Sequence, residues 1–192
     1  MTVFDLRTAG ELERHGTSPL YDHGVIHRHV PFVAEVGNTA QAEATSERSQ
    51  EERRVDLYVD LIERAHPAIR EVFTALAEPH HYPAVFHCAA GKDRTGMTAA
   101  LLLHALGVDD EMIAQDYALT TRYMTWTDEQ LEQMAKEYNI VVTRENLGAD
   151  PETILALLQT IEERYGSVLG FLDHCGVTDV HLTALRGHLL EG

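Results

Sequence analysis

The sequence predicts an α/β domain with a small central parallel or mixed sheet and many flanking helices. Three observations lead to this fold class. The 192 residues suit one domain over residues 1–192, and 44% of them are hydrophobic, which is enough apolar mass for one core. Strand patterns occur only early in the chain and around residue 86. Helical patterns cover most of the remainder, so we expect the strands to form one small sheet among the helices.

The first half of the chain contains all the predicted strands. The strand patterns cover residues 2–6, 25–32 and 84–88. Between the first two, residues 8–15 read as a short helix in which Thr8 is the N-cap and Glu11 completes a capping box. Residues 34–50 are small and polar, as in a linker. Residues 2–32 therefore supply two strands and one short helix, and residues 84–88 supply the third strand.

Helices dominate the rest. Apolar residues recur at helical spacing over residues 48–77, and Pro67 divides this stretch because proline cannot continue the preceding helix. Residues 95–106 are apolar on every side, so this helix should be central, ending at Gly107. Asp109 caps the next helix. Further helices are predicted over residues 127–138, 150–165, 167–174 and 178–190. We interpret the helical stretches 45–78 and 109–147 as lid or flanking elements.

Charge and composition exclude several classes of partner. The net charge is −16, from 15 basic against 31 acidic residues, which argues against nucleic acid and against an anionic membrane surface. No apolar run approaches the length of a transmembrane helix, and the N-terminus lacks the pattern of a signal peptide. Two widely separated cysteines make no disulfide framework. We therefore expect a cytoplasmic protein, with secretion left open.

Residues 84–96 combine a strand, a tight turn and the start of a helix. Such a unit directs backbone N–H groups into the turn and adds the positive end of the helix dipole. Gly91 and Gly96 allow backbone angles and close approach that other residues resist. Arg94 adds a planar charged group that can hold two oxygens of a tetrahedral anion. The stretch is therefore a candidate cradle for a phosphate group.

A cysteine lies at the floor of this cradle. The thiolate is the reactive form of cysteine, and both the helix N-terminus and Arg94 would favour it at Cys88. The hydroxyl of Thr95 could donate a hydrogen bond to the sulfur, and His87 could orient the turn. A lone cysteine on an apolar strand is usually core filler, but this setting predicts a nucleophile. Cys175 has no such setting and is predicted to be a structural thiol near a helix end.

The segment HCAAGKDRTG, residues 87–96, resembles the signature loop of the protein tyrosine phosphatase superfamily: cysteine, five residues, arginine, then serine or threonine. The ending GKDRTG is similar to the bacterial and fungal branch that acts on phosphotyrosine and phosphoinositides. Two further stretches, VFDLRTAGELERHG and YGSVLGFLDHCGVTDVHLTALRGHLL, also resemble that branch. The resemblance therefore covers most of the chain and implies a cysteine-phosphatase-like fold.

The resemblance also implies roles for individual residues. Cys88 would attack phosphorus to form a cysteinyl-phosphate, and water would then release phosphate, with no metal or cofactor required. The phosphate-binding residues would be Ala89, Ala90, Gly91, Lys92, Asp93 and Arg94, supported by His87, Thr95 and Gly96. Asp93 is the candidate general acid, with Asp56, Asp60 or another acid on the 48–77 helices as the alternatives. Lys92 would face a second phosphate or an acidic side of the substrate.

Several hypotheses about function remain open at this stage. The favoured one is a metal-independent phosphatase acting on phosphotyrosine, phosphoinositides or another phosphomonoester of a protein, lipid or small molecule. The alternatives are a sugar or nucleotide phosphatase in a metabolic pathway and a phosphate-binding pseudophosphatase. A rhodanese-like sulfur transferase also centres its loop on a cysteine, but arginine followed by Thr–Gly fits phosphate better.

Other features receive simpler interpretations. Members of the branch usually carry a further segment before the first strand, so we expect an N-terminally shortened sheet with an unpaired edge and the potential for a homodimer. The histidines show no metal-ligand spacing and are expected to be solvated, including the pair His80 and His81. The side chains of Tyr117, Tyr123, Met124 and Trp126 are expected to pack in the core.

Overall fold

The computed structural model describes residues 1–35, 49–138, 142–143 and 147–190. These residues contain one sheet of three strands, in the order β2-β1-β3. The strands are β1 Thr2–Asp5, β2 Ile26–His29 and β3 Ala84–His87. Both pairings are parallel, with Val3 of β1 opposite His27 on one side and Val85 on the other. The predicted α/β class is confirmed, and in the described part of the chain the sheet is parallel rather than mixed.

Nine α-helices surround this sheet in the described residues. They are α1 Ala9–His15, α2 Gln50–Arg64, α3 His66–Leu76, α4 Asp93–Ala105, α5 Asp110–Tyr123, α6 Asp128–Tyr138, α7 Pro151–Tyr165, α8 Val168–His174 and α9 Asp179–Leu189. Two short 3₁₀ helices cover Pro19–His23 and Pro79–His81. The predicted helices are all present, with ends shifted by a few residues. Most of the predicted linker, residues 36–48, lies outside the described residues.

The break in the helical stretch before β3 occurs at Ala65 and not at Pro67. Ala65 ends α2 and precedes α3, and Pro67 lies in the first turn of α3. Proline fits there because the first turn needs no N–H donor to a preceding carbonyl. The proline therefore starts the second helix, and the chain turns two residues before it.

The core lies between the sheet and the central helix α4. Phe4 of β1, Met97 and Leu101 of α4, Ile154 of α7 and Phe171 of α8 are completely buried. The prediction that the helix after β3 is central agrees with this packing. Burying a large apolar side chain contributes about 1.5–3 kcal/mol, so these positions fix how the helices are placed around the sheet.

Two predictions about burial were wrong, and Met124 and Trp126, also expected in the core, are only half-buried. Tyr123, expected in the core, is 68% exposed at the end of α5, where the Arg122 guanidinium lies over its ring. His81, expected in solvent, is buried, because its Nδ1 lies 3.2 Å from the Thr2 hydroxyl and its ring packs near Phe4. By contrast, Tyr117 is buried as expected.

The sheet positions the functional residues. All three strands run in the same direction, so their carboxyl ends, at Asp5, His29 and His87, lie side by side. In sheets of this kind, ligands bind at the carboxyl ends of the strands. The segments after β1 and β3 therefore leave the sheet next to each other. No helix among the described residues is long and apolar enough to cross a membrane.

Candidate active site

Cys88 is the first residue after β3, and it lies at the floor of the turn that leads into α4. It is 4% exposed and carries a free thiol. Its backbone N–H donates to the Thr95 hydroxyl over 2.9 Å. The Cys88 carbonyl accepts from His87 Nδ1, also at 2.9 Å. His87 and Thr95 therefore fix the backbone on both sides of the sulfur. Thr95 does this by accepting from the backbone, whereas the sequence suggested that it donates to the sulfur.

The turn itself exposes a row of backbone donors. Among the described residues, no protein group accepts from the N–H groups of residues 89–94. Gly91 has a φ of 71°, a conformation that L side chains rarely adopt and that lets the backbone reverse here. The turn ends at the N-terminus of α4, which spans 13 residues and carries a partial positive charge there. The loop can therefore bind an anion through its backbone.

Arg94 is held by the carboxylate of Glu11, a residue in the segment that follows β1. Its two terminal nitrogens donate to the two Glu11 carboxylate oxygens over 2.6 and 2.7 Å. Both residues are buried, and Glu11 comes from α1, directly after β1. This paired geometry fixes the plane of the guanidinium beside the turn. The sequence had indicated Glu11 only as part of a capping box.

Glu11 performs two tasks with one carboxylate. It also accepts from the Thr8 N–H at 2.8 Å, which completes the predicted capping box at the start of α1. Burial alone would raise the Glu11 pKa, but hydrogen bonds from Arg94 and Thr8 outweigh burial and lower that pKa to about 2. Glu11 is therefore ionised at neutral pH, and it keeps Arg94 charged and oriented.

Asp93 is the first residue of α4, and one of its oxygens is engaged. The Tyr58 hydroxyl donates to Asp93 Oδ1, and the Tyr117 hydroxyl lies 2.6 Å from the Tyr58 hydroxyl. The Tyr117 ring also explains Gly96, because a Cβ there would lie 2.8 Å from two ring carbons of Tyr117. The first turn of α4 thus packs against two tyrosines, and no pattern in the sequence indicated that either of them lies near the loop.

Lys92 points away from the open side of the turn. It is 7% exposed, and its Nζ donates to the Leu147 carbonyl over 3.2 Å. The same Nζ lies 3.4 Å from Asp93 Oδ1. Lys92 therefore ties the loop to the segment before α7, and its contact with a second phosphate stays a prediction.

An open cleft of about 470 Å³ lies above Cys88. Its lining includes Arg7, Cys88 and Ala90 and, from the chain around α6, Trp126 and Met134. Arg7 is itself fixed, because two of its nitrogens bind the fully buried Asp5 carboxylate at 2.9 and 2.6 Å. Burial opposes the charge on Asp5, but the hydrogen bonds from Arg7 lower its pKa to about 2. The cleft therefore presents a second immobilised guanidinium.

The alternative acids lie on α2, outside the loop. Asp60 is exposed and forms an ion pair with Arg64 at 3.0 Å. None of Asp56, Asp60 and Asp93 is among the residues that line the cleft, but Asp93 differs from the other two because it lies in the loop itself, at the start of α4. Cys175 ends α8, and burial raises the pKa of its thiol to about 12, as expected for a structural cysteine. In the described part of the chain, no group of three or more His, Cys, Asp or Glu side chains is arranged to hold a metal ion.

Comparisons with known proteins agree with this arrangement. The model of the tyrosine phosphatase family matches residues 1–191. The triple specificity protein phosphatase PtpB of Mycobacterium tuberculosis is 33% identical over 139 residues, covering 66% of this chain and 50% of that protein. A tyrosine-protein phosphatase of Nostoc commune is 28% identical over 141 residues, covering 70% of this chain and 48% of that protein. The chain spans about half the length of these curated relatives.

Proposed function

Since the chain belongs to the tyrosine phosphatase family, we propose that it hydrolyses phosphomonoesters through a cysteinyl-phosphate on Cys88, without a metal ion. One observation carries the proposal. Cys88 lines the cleft and begins a turn whose backbone N–H groups are unpaired within the described residues, and Glu11 holds Arg94 at the end of that turn. Fixed donors of this kind stabilise the charge that develops on phosphoryl oxygens in the transition state.

In the first step, an electron pair of the Cys88 thiolate forms a bond to phosphorus while the bond from phosphorus to the ester oxygen breaks. The Asp93 carboxyl gives its proton to the departing oxygen. In the second step, the Asp93 carboxylate takes a proton from water as the water oxygen bonds to phosphorus. The S–P bond then breaks, which releases phosphate and restores the thiolate.

The substrates that we propose are phosphotyrosine and phosphoinositides. Trp126 and Met134, in the lining of the cleft, supply apolar surface against which the aromatic ring of a substrate can pack. Arg7 offers a further positive charge at the edge of the same cleft for an acidic group of the substrate. The overall charge of −16 repels anions, and Glu11 and Asp5 offset the charges of Arg94 and Arg7. The backbone N–H groups of the turn and the N-terminus of α4 must therefore add to the local attraction.

The test is turnover of p-nitrophenyl phosphate with a chelator present. We expect hydrolysis by the wild type, inhibition by vanadate and no measurable turnover by Cys88→Ser. Cys175→Ser is the matched control, because it removes the other buried thiol and should retain activity. A phosphoenzyme trapped by rapid acid quench, present in the wild type and absent in Cys88→Ser, would establish the intermediate.

A substrate panel then separates the alternatives. Phosphotyrosine peptides, phosphoinositides, sugar phosphates and nucleotides are compared by kcat/KM. Preference for sugars or nucleotides would contradict the proposed substrate class. Binding of inorganic phosphate without any hydrolysis would contradict the proposed activity and indicate a pseudophosphatase.

A further inference from the structure

The pair Tyr58 and Tyr117 forms a buried hydroxyl chain that ends on the Asp93 carboxyl. We propose that Tyr58, supported by Tyr117, is a positioning residue that directs the transferable proton of Asp93 to Oδ2. The proposal rests on the proposed function, because it concerns how the leaving oxygen receives its proton. A consequence is that loss of the Tyr58 hydroxyl should change how the rate depends on the leaving group.

The direction of the chain follows from counting protons. A tyrosine hydroxyl has one proton to donate, and Tyr58 donates its proton to Asp93 Oδ1. The 2.6 Å contact between the two hydroxyls must then use the Tyr117 proton, with the Tyr58 oxygen as acceptor. Tyr58 is 1% exposed and Tyr117 is 5% exposed, so water does not compete for these bonds. The chain runs one way, from Tyr117 through Tyr58 to Asp93.

The two oxygens of Asp93 are therefore in different situations. Oδ1 faces the Tyr58 hydroxyl and, at 3.4 Å, the Lys92 ammonium, both of which need an acceptor. For Oδ2, the described residues provide no hydrogen-bond partner. In a neutral carboxyl group, the oxygen that faces donors is the carbonyl oxygen, so the proton is carried by the other oxygen. The acidic proton therefore lies on Oδ2, on the side away from the tyrosines.

The same contact serves both chemical steps. Tyr58 can donate to Oδ1 while Asp93 is a neutral acid and again after Asp93 has given its proton to the leaving oxygen. Burial, together with the charge of Asp93, raises the Tyr58 pKa well above its ordinary value, so the hydroxyl remains a donor throughout. The carboxyl group consequently keeps one orientation as it changes from acid to base.

The two tyrosines are also fixed relative to the helix that carries Asp93. The Tyr117 ring packs against Gly96, one turn from Asp93, where even a single added methyl group would clash. Tyr58 is on α2 and Tyr117 is on α5, so the hydroxyl chain joins two helices to the start of α4. This is a rigid support for the proton donor, and it uses elements outside the phosphate-binding loop.

The test compares substrates whose leaving groups differ in their need for a proton. p-Nitrophenolate leaves readily as an anion, whereas phenolate and the tyrosyl side chain do not. For Tyr58→Phe, which keeps the ring and removes the hydroxyl, we expect kcat/KM on phenyl phosphate to fall on the order of tenfold, the loss of one hydrogen bond to a charged group. On p-nitrophenyl phosphate, we expect little change in kcat/KM. The comparison uses kcat/KM because this quantity reports departure of the leaving group and excludes hydrolysis of the cysteinyl-phosphate, which is the same for every substrate. A plot of log kcat/KM against the leaving-group pKa should therefore become steeper.

Controls isolate the hydroxyl of Tyr58. Tyr82→Phe removes a different tyrosine hydroxyl, one that donates to the Leu76 carbonyl. This variant should leave the slope unchanged. In an Asp93→Asn background, Tyr58→Phe should cause no additional slope change, because no proton remains to be directed. Tyr117→Phe leaves Tyr58 intact, tests the chain independently if Tyr58→Phe fails to fold, and should steepen the plot to a smaller extent.

Equal losses of kcat/KM on every substrate, or an unchanged slope in both the Tyr58→Phe and Tyr117→Phe variants, would overturn the positioning role. Failure of the proposed function looks different. In that case the wild type does not turn over any aryl phosphate, or Cys88→Ser retains the wild-type rate.

Discussion

The bond between Glu11 and Arg94 makes a prediction for Glu11→Gln that combines stability with pH. The substitution keeps the size of the side chain but replaces one carboxylate oxygen with an NH₂ group that faces an Arg94 donor. The buried guanidinium would then lack a charged partner, and the Thr8 N–H would lose part of its acceptor. We expect a lower free energy of unfolding together with a lower kcat/KM, since Arg94 loses its fixed orientation.

The magnitude follows from the Glu11 pKa. That pKa falls from 4.5 to about 2 in the folded protein. Each unit of difference in pKa between the folded and unfolded states corresponds to about 1.4 kcal/mol in the free energy of unfolding. The ionised carboxylate therefore contributes about 3 kcal/mol to folding at neutral pH. Because the folded pKa is the lower one, this contribution is complete above the unfolded value of 4.5 and disappears as the pH falls towards 2. The difference in free energy of unfolding between the wild type and Glu11→Gln should be smaller at pH 3.5 than at pH 7 by about 1 kcal/mol.

Urea unfolding followed by circular dichroism at several pH values measures this difference. The buried Asp5, whose pKa is also about 2, contributes equally to both proteins and cancels. Glu13→Gln, an exposed substitution on the same helix, should leave stability nearly unchanged and serves as the control. A difference that stays constant across the pH range, or a control that loses as much stability as Glu11→Gln, would refute the reasoning.

Three further substitutions test separate features of the loop. Gly96→Ala should destabilise the fold by about 1–3 kcal/mol and lower kcat, since the new methyl group would displace the Tyr117 ring; thermal unfolding and turnover measure the two effects. Gly91→Ala meets open space, so only its φ of 71° opposes the change, and a smaller loss of about 1–2 kcal/mol is expected in the same assay. Lys92→Gln should lower the unfolding temperature, because it weakens the contact with the Leu147 carbonyl. The ratio of the KM for a phosphoinositide to the KM for p-nitrophenyl phosphate should stay constant. A rise in that ratio would instead support a second-phosphate role for Lys92.

Much of the fold could be predicted because its signals are local. Alternation marked the strands, and caps such as Thr8 and Asp109 marked where helices begin. The displaced helix break illustrates the limit of such signals. A proline shows that the preceding helix cannot continue through it, but it does not show at which earlier residue that helix ends. Here the break occurs at Ala65. The exposure of Tyr123 could not be foreseen either, because helical spacing alone does not show where a helix leaves the core.

For the candidate site, the loop was predictable and its supports were not. Cys88 and Arg94 lie within one short stretch, so their spacing carried the chemistry. Glu11 lies 83 positions from Arg94 in sequence, and only the parallel pairing of β1 with β3 brings α1 next to the loop. One signal could have pointed to it, because segments that follow parallel strands meet at one edge of the sheet. No comparable signal connected Tyr58 with Asp93, since that contact depends on how α2 packs against α4.

Trp126, which lines the same cleft as Cys88, is the single tryptophan of the 192-residue chain. Its emission can therefore be assigned to one place without any label. A ligand that enters the cleft changes the polarity around this indole, so titration of intrinsic fluorescence should give dissociation constants directly. The same signal works in Cys88→Ser, where affinity can be measured for a true substrate that the protein no longer consumes.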